Sequence, residues 1–137
     1  MRLAIEEAGK AFTRDEVPVG AVVVAGDTVI ARAHNLTVTL NDPTAHAEMQ
    51  AITSATEWLG SRYLNECTVY VTLEPCAMCA GALFWSQAGT VVFGCSDPKK
   101  GYSLVSDPLL HPATIVRKGV LESECSGLLS RFFSTKR

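Results

Sequence analysis

Cys67-Thr68-Val69-Tyr70-Val71-Thr72-Leu73-Glu74-Pro75-Cys76-Ala77-Met78-Cys79-Ala80-Gly81-Ala82 is the stretch on which the fold turns. Its first half, Cys67–Thr72, is rich in β-branched and aromatic side chains, which pack well on a pleated surface and so predict a strand. Glu74-Pro75 then interrupts the pattern, and the residues from Cys76 to about Gln87 are good helix formers. A strand fed straight into a helix is the repeating unit of a layered α/β domain.

Working outward, the rest of the chain continues the alternation. Upstream, Asp42-Pro43-Thr44 offers N-cap candidates and a proline suited to a first turn, ahead of a helix from about Ala45 to Leu59. Before that, Val19–Ala25 and Thr28–Ala33 read as two strands joined by a tight turn at Gly26-Asp27. Met1–Phe12 places Leu3, Ile5, Ala8 and Phe12 among charged residues, an amphipathic helix that begins without a cap. Downstream, Thr90–Phe93 is a strand ending at Gly94, residues 95–112 are loop-rich, Ala113–Val116 is a short strand and Leu121–Phe133 a closing helix. No repeat, low-complexity tract or linker divides the sequence, so residues 1–137 are expected to form one domain around a mixed sheet.

The bulk numbers exclude several classes. With 137 residues, 47% hydrophobic and 19% charged, the chain can bury a sizeable core without disulfides and lacks the polar composition of disordered segments. It has neither a run of about 18 apolar residues nor a signal-peptide plan, so a cytoplasmic protein without membrane contact is expected. Five cysteines are an odd number, and in a reducing compartment metal ligation outranks a disulfide framework. The net charge of −2 argues against a generally cationic nucleic-acid binder. Residues 1–98 carry five basic and eleven acidic side chains, whereas residues 99–137 carry seven and three. That basic end fits phosphate contacts and equally a solvated terminus.

The chemistry concentrates in His46-Ala47-Glu48 and Cys76-Ala77-Met78-Cys79. Two thiolates and one imidazole leave the fourth tetrahedral position of a zinc ion open, which distinguishes catalytic from structural sites. Cys76 and Cys79 are three apart at a helix start, where the positive end of the helix favours thiolates. His46 and Glu48 lie about 200° apart on a regular helix and meet at one metal only near the helix end. Zinc lowers the pKa of water and stabilises charge on the attacking oxygen. Glu48, outside the ligand set, is placed to move protons as general base and then general acid. This combination predicts hydrolytic deamination of an amidine carbon, with ammonia leaving.

Beyond these residues the chain resembles the bacterial tRNA-specific adenosine deaminases, a branch of the cytidine/deoxycytidylate deaminase superfamily whose signature is His-x-Glu with Pro-Cys-x-x-Cys. The resemblance runs through Val17-Pro18-Val19-Gly20-Ala21-Val22, Asp42–Glu48, Val71–Ala82, Val92-Phe93-Gly94, Gly119–Glu122 and Leu128–Phe133. It implies a three-layer α/β/α sandwich with a central mixed sheet of about five strands, one zinc per subunit and a homodimer. The implied substrate is the wobble adenosine of a tRNA anticodon loop, converted to inosine; unstacked loop bases suit such a pocket, and DNA is not an expected partner. Matched positions make Asn35 a base contact, Asp97 a ribose neighbour, and Phe132 and Phe133 aromatics beside the RNA loop. Asn35 also reads as a turn residue, Ser96-Asp97-Pro98 as a plain turn, and one phenylalanine as core. Lys99, Lys100, Arg117, Lys118 and Arg131 are the phosphate-contact candidates. Trp85 and Gln87 depart from the histidine and arginine of many members, which keeps guanine deamination as an alternative. A zinc-stabilised RNA-binding module without catalysis is a third reading.

Overall fold

The computed structural model describes residues 1–136, and Arg137, the end of the expected domain, lies outside them. Alternation along the strand Cys67–Leu73 sets the architecture. Val69 and Val71 are buried on one face, and Tyr70 and Thr72 project from the other, because successive strand residues point to opposite sides of a sheet. Both faces are covered. In chain order the elements are α1 (Arg2–Thr13), β1 (Gly20–Ala25), β2 (Thr28–His34), α2 (Ala47–Leu59), β3 (Cys67–Leu73), α3 (Ala77–Trp85), β4 (Thr90–Cys95), β5 (Ile115–Lys118) and α4 (Glu122–Ser134), with a short 3-10 turn at Tyr102–Leu104.

The sheet has five strands in the order β2-β1-β3-β4-β5. β1 pairs antiparallel with β2 and β3, whereas β3, β4 and β5 run parallel, so the sheet is mixed. Helices α1 and α4 pack on one face and α2 and α3 on the other, giving the three-layer α/β/α sandwich that the resemblance implies. Small residues allow close approach. Ala4, Ala8 and Ala11 form the fully buried stripe of α1, and Ala47, Ala51 and Ala55 that of α2, at the three- and four-residue spacings that keep one helical face on the sheet. Gly20 has the same cause, because a Cβ there would lie 2.0 Å from the Ala4 carbonyl oxygen. In β2, Ile30 is the extra residue of a bulge, which lets Ile30 and Ala31 both turn inward.

Several boundaries move by a residue or two from the sequence reading, and two of the shifts have a plain physical cause. Asp42 and Thr44 do not cap a helix; the Asp42 carboxylate accepts the Thr44 N–H at 2.8 Å and hydroxyl at 2.7 Å, closing an Asx turn. Helix α2 therefore starts two residues later, after His46. The last strand is also displaced, to Ile115–Lys118 rather than 113–116, because pairing of Thr90 with Ile115 sets its start. The topology brings the start of β1 and the ends of β2, β3 and β4 to one edge of the sheet. The N-termini of α2 and α3 meet there, as ligand sites in α/β sheets do.

Candidate metal centre and active site

His46 and Cys76 occupy equivalent places. Each is the N-cap of its helix, with extended backbone (ψ 156° and 174°), and neither side chain caps the helix it precedes. A Ser or Asp at an N-cap adds about 1 kcal/mol by satisfying an orphan N–H; here those side chains turn towards each other instead. Cys79 and Glu48 sit in the first turns of α3 and α2, 0% and 4% exposed. Because His46 is extended rather than helical, the angular conflict with Glu48 disappears.

The three candidate ligands converge. Nδ1 of His46 lies 3.6 Å from Cys76 Sγ and 3.5 Å from Cys79 Sγ, and the three donor atoms all lie within 4.8 Å of one another. Zinc–sulfur bonds of about 2.3 Å and a zinc–nitrogen bond of about 2.0–2.1 Å at a tetrahedral angle place sulfur and nitrogen about 3.6 Å apart. The two nitrogen–sulfur edges thus already have the lengths of a zinc tetrahedron, and three ligands leave one corner to the cavity.

Electrostatics point the same way. In the metal-free site, hydrogen bonds from Cys79 and His46 pull the Cys76 thiol down to about 4, while the proton held towards Cys76, together with burial, pushes Cys79 up. The hydrogen bond to Cys76 raises His46. Burial pushes Glu48 up to about 7. Two sulfurs and a carboxyl group crowded out of water cannot all ionise unaided, and a divalent cation is the group that lets both thiols ionise.

Beside this cluster lies a cavity of about 360 Å³, lined in part by Val17, Val19, Asn35, Thr37, Leu73, Asp97 and Lys100 as well as His46, Glu48 and Cys76. Its apolar walls suit the faces of a planar ring. Asn35 and Asp97 are thus brought to the cavity wall, and the turn reading of Asp97 holds, since its carboxylate accepts the N–H groups of Lys99 and Lys100 at 3.0 and 3.1 Å. Lys100 is the phosphate-contact candidate that reaches the cavity wall. Lys99, Arg117, Lys118 and Arg131 are exposed on the surface. Phe132 is buried edge-on against Phe12 at 5.8 Å, and Phe133 beside it is 48% exposed; neither lines the cavity.

Two functional side chains had no sequence signal. The buried carboxylate of Glu74 accepts the Asp97 N–H at 3.0 Å and the Ser103 N–H and hydroxyl at 3.0 and 2.7 Å, fastening the loop that carries Asp97 and Lys100. Gly101 leaves room beneath it, because a Cβ there would fall 2.4 Å from that carboxylate and push it off its partners. Glu16, fully buried, likewise gathers the loop after Asn35. Trp85 and Gln87 lie elsewhere, lining a separate cleft of about 730 Å³ with Ile52, Arg62, Phe84 and His111.

A family model described as the cytidine and deoxycytidylate deaminase zinc-binding region matches residues 1–95. The chain is 50% identical to a tRNA-specific adenosine deaminase of Bacillus subtilis over 143 aligned residues, covering 100% of this chain and 88% of the relative. A solved structure from studies of A-to-I editing by tRNA:A34 deaminases superposes with a TM-score of 0.88 at 46% identity, covering 94% of this chain and 97% of that one. A guanine deaminase from Bacillus subtilis is 37% identical with a TM-score of 0.66, covering 69% of this chain and 61% of that one.

Proposed function

The chain belongs to the tRNA-specific adenosine deaminases of the cytidine and deoxycytidylate deaminase family, and from that membership we propose that it converts the wobble adenosine of a tRNA anticodon loop to inosine by zinc-dependent hydrolysis. The observation that carries this reading is the open His46–Cys76–Cys79 triangle with buried Glu48 beside a cavity of about 360 Å³, large enough to admit a purine nucleoside.

In this reading His46, Cys76 and Cys79 hold the metal, which when bound supplies Lewis acidity and a water of lowered pKa. The chain's own groups do the rest. Glu48, held nearly dry and with its carboxyl pushed up, takes a proton from the attacking water and delivers it to the ring nitrogen next to the amidine carbon; it then takes the second proton, from the hydroxyl now on that carbon, and passes it to the departing amine as the carbonyl forms. Water adds at that carbon, the C–N bond breaks and ammonia leaves. Val17, Val19 and Leu73 exclude solvent from the ring, while Asn35 and Asp97 orient base and ribose. Lys100 meets a phosphate at the rim, and Lys99, Arg117, Lys118, Arg131 and the exposed Phe133 contact the loop more distantly.

Guanine as substrate is disfavoured by where the departures fall. Trp85 and Gln87 lie outside the catalytic cavity, so the residues that meet the base are not altered by them. Incubation with an adenosine-34 anticodon stem-loop and, separately, with free guanine decides the matter. Inosine in the RNA is expected, and turnover of guanine alone overturns the assignment.

We further infer that residues 1–137 act as one domain and assemble as a homodimer. Trp58, Met78 and Trp85 expose apolar surface on the outer faces of α2 and α3, with Trp85 78% exposed, more than a lone surface aromatic accounts for. A cytoplasmic location fits five free cysteines and the absence, among the described residues, of any helix long and apolar enough to cross a membrane.

A further inference from the structure

Glu16 lies outside the cavity, yet a chain of hydrogen bonds leads from it to a group in the cavity wall. Its Oε2 accepts the Thr39 N–H at 2.6 Å and the Thr39 hydroxyl at 2.7 Å, and its Oε1 accepts the Val38 N–H at 3.1 Å and the Thr37 hydroxyl at 3.4 Å. Thr37 Oγ1 in turn accepts from Asn35 Nδ2 at 3.4 Å. Both Asn35 and Thr37 line the cavity.

The direction of every bond in this chain is fixed at its Glu16 end. An ionised carboxylate only accepts. Burial opposes ionisation of Glu16, but the donors of Thr39, Val38 and Thr37 outweigh it and hold the group below the usual carboxylate range. The Thr37 hydroxyl has a single proton, and that proton is committed to Glu16. Its lone pairs are then all that Asn35 meets, so Asn35 must turn its NH2 end, and not its carbonyl, towards Thr37. No other protein hydrogen bond fixes the amide: Oδ1 has no protein partner, yet no buried side-chain polar atom is left unsatisfied among the described residues, so Oδ1 reaches open space.

We propose that Glu16 is a positioning residue for the deamination reaction: acting through the Thr37 hydroxyl, it holds the Asn35 amide in the one sense that matches the base. This deepens the reading of Asn35 as the base contact and rests on it. Without the relay the amide rotates by a half-turn between two states, donor and acceptor exchange places, and the flipped state presents the wrong pattern to the ring. The two 3.4 Å contacts are long, so their effect is on orientation more than on stability.

The test separates the relay from the loop clamp and from the base contact. Glu16→Ala removes clamp and relay together and should release the Asn35 amide, whereas Thr37→Val removes only the hydroxyl and leaves the Val38 and Thr39 bonds to Glu16 in place. In the zinc-loaded, substrate-free enzyme, side-chain amide NMR is expected to show one Asn35 Nδ2 proton, the one donated to Thr37, exchanging slowly with solvent in the wild type and in Thr37→Ser. That proton should exchange rapidly in Thr37→Val. With the anticodon stem-loop, Thr37→Val should lower kcat/KM about tenfold, the scale of one hydrogen bond, with Thr37→Ser restoring most of it. In an Asn35→Ala background it should cost nothing further. An Asn35 amide indifferent to Thr37→Val overturns the relay whatever the kinetics. An amide that responds, in an enzyme whose Asn35→Ala variant keeps full activity, overturns the assignment of Asn35 as base contact and with it any influence of Glu16 on the reaction.

Discussion

Replacing Glu74 by glutamine tests whether the Asp97–Ser103 loop is held as described. The change is nearly isosteric, so its effect comes from hydrogen-bond chemistry alone. One amide oxygen serves the Ser103 side, where it keeps two bonds, and the new NH2 then faces the Asp97 N–H, donor against donor. Removing one charge-assisted hydrogen bond costs about 1.5–3 kcal/mol, and converting the other two from charged to neutral roughly halves them. Ser103 is exposed, and water offsets part of this, which leaves about 3 kcal/mol. For a chain of this length the unfolding entropy is about 0.3 kcal/mol per degree, so the melting temperature should fall by about 10 °C, measured at saturating zinc to hold metal linkage constant. Because the loop carries Asp97 and Lys100, KM for the stem-loop should rise more than kcat falls. Ser103→Ala, which removes one bond of the three, should show a smaller shift of the same kind. A Glu74→Gln protein with unchanged melting temperature and unchanged KM would refute the clamp.

Four further outcomes are expected. Glu48→Gln should retain one zinc per chain by metal analysis while losing about 10²–10⁴ in kcat; equal activity would restore the reading of a zinc-stabilised module without catalysis. Cys79→Ser should lose both metal and turnover, and a chelator should do the same to the wild type. In metal-free protein the Cys76 thiol is held near 4, well below its ordinary value, so its stabilising contribution is present above the unfolded pKa and is lost as pH falls through about 4. Its alkylation by iodoacetamide should accordingly stay nearly flat from pH 8 to about pH 5, where an ordinary thiol slows about tenfold per unit. Trp85→Glu should shift the protein to monomer in light scattering if the outer face of α3 is the dimer contact.

The sequence was most legible where chemistry forces residue type. His46, Glu48, Cys76 and Cys79 could be read together because few other roles need those groups at those spacings, and the strands and helices followed from apolar periodicity. Asp42-Pro43-Thr44 misled because an Asx turn and an N-cap call for the same residues, and only the backbone after Thr44 distinguishes them. Glu16 and Glu74 were invisible for a different reason. Their partners are mainly backbone N–H groups more than 20 residues away, and a backbone N–H leaves no mark on the sequence. Trp85 and Gln87 were hidden in another way: their identities were plain, but that they face away from the catalytic cavity depends on which side of α3 meets the sheet and on the turn that follows its last residue.

The basic pair Arg117-Lys118 has a second consequence, independent of RNA. β5 forms one rim of the sheet, with all four of its residues exposed and Ile115 and Val116 on the open surface. A bare rim of this kind invites another chain to add a strand, the first step towards insoluble aggregates. Two adjacent cations make that addition costly, since an incoming copy aligned with itself would bring like charges together. Neutralising Arg117 and Lys118 should therefore shorten the shelf life of concentrated protein even where its fold and its chemistry are untouched.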